Sequence, residues 1–292
     1  MVVITYPYGQ LGNRLLLFAH FMANAIEHGY VLCNPAFDDY AHYFRGTCSN
    51  TFCCFPPRSG LPPIPAGISR WVRQLLLRKL RRSSAGRAGV WLGRFDIATT
   101  DDSGEVCDLS AEKFVSVRKA SNVLLVHGWL FRDDAGFRKH SGAIRSYFSP
   151  IEPHATRVAN FMEQTRSGTD MLVGIHVRRG DYADFLGGKF FYSPEVYLRI
   201  MCEMTALFPG KRIRFLICSN EALEVGQFAA FDFLFGPGHE LEDLHAFSLC
   251  DYIIGPPSTY TNWASYYGNV PLFKIMSQDT RLRLEGFQVY GG

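Results

Sequence analysis

The 292-residue sequence lacks several features, and each shortage excludes a class of protein. No apolar run approaches the roughly 18 to 20 residues a spanning helix needs. Even MLVGIHV, at 171 to 177, stops at Arg178. No membrane-spanning helix is expected. Behind Met1 there is no basic segment, no apolar stretch of signal length and no small-residue cleavage site, so no export signal is expected and the cytoplasm is the expected location. Charge of one sign is scarce. Thirty Lys and Arg against 27 Asp and Glu leave +3, too weak a bias to indicate a nucleic-acid partner. With 47% hydrophobic and 20% charged residues the composition excludes a disordered or collagen-like chain. Cysteines are few, and Cys33, Cys107, Cys202, Cys218 and Cys250 lie singly in apolar stretches, which predicts reduced, buried thiols. Cys48, Cys53 and Cys54 lie closer together, but no further His or Cys pair completes a zinc spacing, so no metal is expected. No repeat of solenoid period occurs.

What is present is an alternation of short apolar runs and helical periodicity. VVITYPY reads as a strand, Gly9 and Gly12 break it, and Leu15, Leu16, Phe18, Ala19, Met22, Ala23 and Ile26 recur at helical steps up to Gly29, before a strand YVLCN. Residues 35 to 69 show no period and are expected to be irregular. NVLLVHGWLF at 122 to 131 supplies another strand. In the second half MLVGIHV, RFLIC, FDFLF, YIIG and PLFKI are strands, with helices expected near 194 to 208, 220 to 228, 240 to 250 and 258 to 267. Continuous apolar strands spaced by helices indicate parallel sheets covered on both faces. The expected fold is α/β with two Rossmann-like domains facing a cleft, divided near 168 in QTRSGTD.

Ligands of open parallel sheets bind beyond the carboxyl ends of the strands. Three such ends carry suitable residues. GQLGN at 9 to 13 offers two glycines and a helix start near Asn13, either an anion cradle or a plain connecting turn. HVRRGDY at 176 to 182 sets two arginines at a strand end, where a guanidinium suits bidentate phosphate recognition. By alternation His176 and Arg178 share a face, leaving Arg179 and Asp181 as support or as a surface ion pair. After YIIG, Pro256 and Pro257 lead to Ser258 and Thr259, which can cap the next helix and leave N–H groups for an anion. Together they suggest a diphosphate ligand.

PYGQLGNRLLLFAHFMANA, HVRRGDY and EDLHAFSLCDYIIGPPSTYTNWASY, in this order and spacing, resemble the three blocks of the α1,2-, α1,6- and protein O-fucosyltransferase superfamily, the bacterial α1,2 enzymes most of all. The resemblance spans residues 7 to 275. It implies a GT-B fold, an acceptor domain over 1–168, a donor domain over 169–292, GDP-fucose as donor, inversion at the fucose carbon and no metal or other cofactor. No Asp-x-Asp occurs, in keeping with the last point. It further implies that Arg178 holds the β-phosphate and stabilises departing GDP, that His176 contacts the nucleoside, and that Asp243 accepts hydrogen bonds from guanine. Ser258 and Thr259 would hold phosphate oxygens, Gly12 and Asn13 would approach the pyrophosphate from the other domain, and Asp181 would orient Arg178 or Arg179. The family pattern does not supply the general base, for which Asp184 and then Asp181 are nominated by their place beyond the strand end.

Two departures bear on linkage and acceptor. Cys218-Ser219-Asn220-Glu221 stands where the α1,2 enzymes have Ser-Asp-Asp, and Pro257-Ser258-Thr259-Tyr260-Thr261-Asn262-Trp263 replaces Asn-Ser-Thr-Phe-Ser-Trp-Trp. The expected activity is transfer of fucose to a hydroxyl of a surface polysaccharide or oligosaccharide, in α1,2 linkage. A transferase for another nucleotide sugar, or a silent nucleotide- or carbohydrate-binding paralogue, are the alternatives. Finally, SRWVRQLLLRKLRR at 69 to 82 fits either an amphipathic helix at an anionic membrane surface or a helix packed on its own domain with a basic outer face.

Overall fold

The computed structural model describes residues 1–57, Leu75, the backbone of 95–99, and 105–292. The basic stretch 69 to 82 lies outside the described residues apart from Leu75, so its proposed membrane contact is not addressed by the fold. Among the described residues no helix is long and apolar enough to cross a membrane. The chain forms two compact units, Met1–Ile151 and Glu152–Gly292.

The first unit is built on β1 (Val2–Ile4), whose three β-branched residues are all buried. The helix Leu11–His28 follows and buries Leu15, Leu16, Phe18 and Met22. It ends where Gly29 takes φ 64° and its N–H returns to the Ala25 carbonyl, a left-handed cap that glycine adopts without steric cost. Strands β2 (Leu32–Cys33), β3 (Cys54–Phe55), β4 (Phe95–Thr99) and β6 (Val123–His127) complete a sheet of order β3-β2-β1-β6-β4, with β5 (Cys107–Asp108) and β7 (Phe131–Arg132) paired separately. Only β3 of the five runs antiparallel.

The stretch expected to be irregular thus holds an edge strand and a 3-10 helix, Pro35–Tyr43. The first is too short to alternate, and the second winds at three residues per turn rather than 3.6. The register of β2 and β3 sets Cys33 opposite Cys54, and the two form a disulfide. The expectation of a reduced thiol is corrected for Cys33, because pairing across the sheet, invisible in sequence, brings it to Cys54. Cys48, Cys107, Cys202, Cys218 and Cys250 carry free thiols.

In the second unit β8 (Met171–Val177), β9 (Ile213–Ser219), β10 (Phe233–Phe235), β11 (Tyr252–Gly255) and β12 (Leu272–Lys274) form an all-parallel sheet of order β10-β9-β8-β11-β12. This is a Rossmann-like winding. The chain moves outward from β8 to β10, then returns to the other flank of β8 with β11, so the strand order reverses between β8 and β11. Every residue of β8 from Leu172 to Val177 is buried, as expected of a central strand covered twice. Val173, Ile175 and Val177 join the core with Tyr197, Ile200, Met201 and Met204 of the helix Pro194–Leu207. The opposite face meets the helix Glu240–Phe247: a Cβ on Gly174 would lie 2.6 Å from the Phe247 ring.

Two expectations change here. The helix expected at 220 to 228 is only a 3-10 turn, Val225–Phe228. The unit boundary lies after Ile151 rather than near 168, because the helix Glu152–Arg166 packs on the second unit. His154 and Arg157 bond to Glu242, and Arg166 pairs with Asp251 at 3.0 Å. A polar stretch marked a loop there, not a domain edge.

The last helix, Thr259–Gly268, lies against Glu240–Phe247 so closely that a Cβ on Gly268 would meet the Ser248 carbonyl oxygen. Gly268→Ala is expected to cost about 2 kcal/mol of stability by overpacking, read as a lowered urea midpoint with the m-value unchanged.

Candidate active site

The reversal between β8 and β11 is where the second unit gathers its functional side chains. Parallel register sets Ile254 beside Ile175, and Gly255 beyond them comes so near His176 that a Cβ there would stand 2.9 Å from that of His176. Only glycine permits this approach. The loops leaving the two strands are also tied together: the Tyr182 hydroxyl donates to the Pro257 carbonyl at 2.7 Å.

Arg178 follows β8. Its guanidinium lies over the Tyr182 ring, 5.2 Å from the centroid, and its Nη2 sits 2.7 Å from one carboxylate oxygen of Asp181 and 2.9 Å from the other. The side chain is only 13% exposed, whereas that of Asp181 is 53% exposed. Ionised, half-buried and held by one partly solvated carboxylate, it can take up an anion without losing its shape. Arg179 turns elsewhere. Its backbone N–H donates to Asn220 at 2.8 Å, its Nη1 donates to the Tyr192 carbonyl, and its guanidinium covers Phe191 at 4.2 Å. The structure thus pairs Asp181 with Arg178, not with Arg179. Asn220, one of the residues read as departures, clamps the turn by also donating to the Arg179 carbonyl at 3.3 Å.

His176 is buried against Tyr260, ring centroids 5.4 Å apart, and near Phe247 at 6.0 Å. Burial, reinforced by the Arg178 charge, pushes its pKa down to about 3, so the ring is neutral at ordinary pH. Its Nδ1 is buried without a hydrogen-bond partner among the described residues, a costly state unless a ligand completes it. Asp243 sits in the first turn of Glu240–Phe247 and accepts from the Gly238 N–H at 2.9 Å. A Cβ on Gly236 would meet Cys218 Sγ at 2.5 Å and Asp243 Oδ1 at 2.7 Å, so these groups lie against one another beside β9 and β10. Burial raises the Asp243 carboxyl from the ordinary 3.8 to about 6, with Gly238 opposing.

Ser258 caps the helix Thr259–Gly268, its hydroxyl oxygen accepting from the Tyr260 N–H at 3.2 Å, and Thr259 is the first helical residue. The rest of that first turn offers N–H groups and the positive end of the dipole. Asp184 is exposed and lies between two 3-10 turns, Gly180–Ala183 and Phe185–Gly188. Gly12 and Asn13 belong to the first unit, in the first turn of Leu11–His28; Gly9, at φ 63°, lies so close to Asn13 that a Cβ would collide with its side-chain amide. In the second unit His176, Arg178, Asp181, Ser258 and Thr259 lie at or just beyond the ends of β8 and β11, and Asp243 lies beside Cys218 at the end of β9.

Sequence reasoning missed Tyr182, Asn220 and Tyr260 as supports of this site. The Tyr in HVRRGDY was the available signal for the first. Tyr182→Phe keeps the ring under Arg178 but frees the β11 loop. Stability is expected to fall by about 1 kcal/mol, the worth of one hydrogen bond, read as a lowered urea midpoint.

His154, His239 and Glu242 offer nitrogen and oxygen atoms within 4.8 Å of one another. Arg157 already donates to Glu242 at 2.6 Å and contacts His154 Nδ1 at 2.8 Å, so a guanidinium occupies the anionic corner of this group.

No protein-family model matches the sequence, and no curated protein does. Solved structures do. An Arabidopsis thaliana FUT1 variant in complex with GDP aligns over 98% of this chain and 73% of its own, at 14% identity and a TM-score of 0.56. NodZ fucosyltransferase from Bradyrhizobium aligns over 96% of both chains, at 15% identity and a TM-score of 0.56. NodZ α1,6-fucosyltransferase soaked with GDP-fucose aligns over 94% of both, at 17% identity and a TM-score of 0.54. With two Rossmann-like units and these neighbours along nearly its whole length, the chain has the GT-B fold of the fucosyltransferases.

Proposed function

We propose that the chain transfers fucose from GDP-fucose to a hydroxyl of a glycan acceptor, with inversion, its second unit holding the donor and its first the acceptor. The observation that carries this is the convergence at one strand-order reversal of Arg178, a capped helix start at Ser258 and Thr259, and a buried acceptor-only carboxylate at Asp243. A diphosphate needs the first two, and guanine, with adjacent N1 and N2 donors, suits the third. That solved neighbours of this fold were crystallised with GDP or GDP-fucose supports the same ligand.

The chemistry follows from the charges. As the bond between the fucose carbon and the β-phosphate oxygen breaks, negative charge collects on GDP. Arg178, preset by Asp181 and the Tyr182 ring, meets that charge without reorganising. Ser258 and Thr259 receive the remaining phosphate oxygens, and His176 Nδ1 donates to or accepts from the nucleoside. Inversion requires a base on the opposite side of the sugar. Asp181 is committed to Arg178, so Asp184 is the residue assigned to deprotonate the acceptor hydroxyl. The α1,2 linkage belongs to this proposal, on the resemblance of the sequence blocks.

Calorimetric titration with GDP, GDP-fucose, GDP-mannose and UDP is the test. Selective binding of the guanine nucleotides, with GDP-fucose preferred over GDP-mannose, is expected. Preference for a UDP sugar would replace the donor, and donor binding without hydrolysis or transfer would turn the chain into a binding paralogue. Asp184→Asn should lower kcat of transfer by about 10²-fold or more with donor binding unchanged, and undiminished transfer would remove it as base.

A further inference from the structure

The first unit repeats the logic of the second with different chemistry at its strand ends. Its order also reverses, between β1 and β6, since the chain leaves β1 towards β2 and adds β4 and β6 on the other flank. The Thr5 N–H bonds to the Val126 carbonyl at 3.0 Å, so the segments leaving β1 and β6 emerge side by side. What they carry is aromatic. His127 ends β6, Tyr6 lies 4.8 Å from it, Tyr8 lies 5.6 Å from Tyr6, and Trp129 stacks with Tyr8 at 6.2 Å.

None of these four rings is fully buried. Val2, Val3 and Ile4 of β1 are at most 7% exposed, while Tyr6, beyond the strand, is 37% exposed. Among the described residues the neighbouring cations are tied to backbone carbonyls as well as to an acid or a ring. Arg14 donates to the Gly9 and Ala36 carbonyls and pairs with Asp39 at 2.7 Å. Arg132 lies over the Trp129 ring and donates to the Trp129 and Phe131 carbonyls. His127 Nδ1 is buried with no hydrogen-bond partner among the described residues. The ligand these features fit has an apolar face and a rim of hydroxyls rather than a charge.

We propose that the carboxyl ends of β1 and β6 form a subsite for a pyranose ring of a glycan, with Tyr6 as the stacking face and Tyr8, His127 and Trp129 around it. In a β-linked glucopyranose the hydroxyls are equatorial, so the axial C–H bonds at C1, C3 and C5 form an apolar face whose positive hydrogens meet the negative face of an aromatic ring. Phenol, imidazole and indole groups then supply directional bonds to the hydroxyls. As the place of the acceptor, this subsite rests on the glycosyltransferase reading given above.

Saturation-transfer NMR on the full chain, with cellotetraose as probe, tests the subsite directly. The wild type is expected to saturate the axial protons on C1, C3 and C5. Tyr6→Ala should reduce that transfer about tenfold, while Tyr6→Phe retains most of it. Tyr6 is exposed enough for the substitution to leave folding intact, which the thermal melt of each variant checks. No saturation by the wild type, equal saturation by Tyr6→Ala, or displacement of the tetrasaccharide by guanosine would overturn the subsite. GDP titration of the same samples separates the two readings. Its absence in the wild type counts against the donor assignment alone, and its loss in Tyr6→Ala would mean that this row belongs to the nucleotide.

Discussion

Arg178→Ala is expected to reduce kcat for fucosyl transfer by about 10² to 10³, the range found when one preorganised charge donor to a leaving or developing anion is removed. The donor KM should rise less, because in the proposed function Ser258, Thr259 and Asp243 still bind the ground state. The reason lies in the setting of the side chain. At 13% exposure, with the Asp181 carboxylate and the Tyr182 ring among its partners, the guanidinium is already oriented before the donor arrives. Arg178→Lys restores charge but not the fork held by Asp181, and should recover only part of the rate. Steady-state kinetics with the donor varied, alongside GDP titration, separates the two effects. Unchanged kcat in Arg178→Ala would remove leaving-group stabilisation from this residue.

The second large effect is expected at Asp243. Asp243→Asn replaces an acceptor-only carboxylate by an amide that also donates, and GDP affinity should fall about 10²-fold with the preference over UDP lost, since charge-assisted bonds to guanine N1 and N2 are each worth about 1.5 to 3 kcal/mol. The same substitution should stabilise the free protein. Burial lifts the folded carboxyl from the ordinary 3.8 to about 6, so ionising it costs stability, a penalty that grows as pH rises from about 4 through 6 and stays constant above. Removing it is worth about 1 to 3 kcal/mol at neutral pH, visible as a higher Tm. Nucleotide binding runs the opposite way with pH. The wild type should lose GDP affinity as pH falls through 6 and the carboxylate protonates, and Asp243→Asn should show no such step. A stabilised variant with weakened binding would mark Asp243 as a position kept for function against stability.

Local pattern was enough for most of the second unit. MLVGIHV and YIIG are strands at the expected residues, and Ser258 caps its helix, because a twice-covered strand needs an unbroken apolar run and a cap needs a hydroxyl at one position. Failures came where information is not local. The 3-10 helix Pro35–Tyr43 lacks the 3.6-residue period of an α-helix, the two-residue β3 is too short to alternate, and the Cys33–Cys54 bond depends on strands twenty-odd residues apart in the chain meeting in one register. The unit boundary was misplaced because QTRSGTD carries loop chemistry, whereas membership of a unit is decided by packing: Glu152–Arg166 is tied through His154, Arg157 and Arg166 to residues more than eighty positions away.

By itself the sequence determined that the chain would fold as α/β units with anion-suited groups after particular strands, since hydropathy, glycine placement and helix caps are short-range and survive in the linear order. Only the tertiary structure decided which of those groups cooperate. It set β11 beside β8, gave Asp181 to Arg178 and Asn220 to Arg179, placed Asp243 against Cys218, and lined the ends of β1 and β6 with rings. Those are outcomes of strand order and register, and register is a property of partners that only folding brings together.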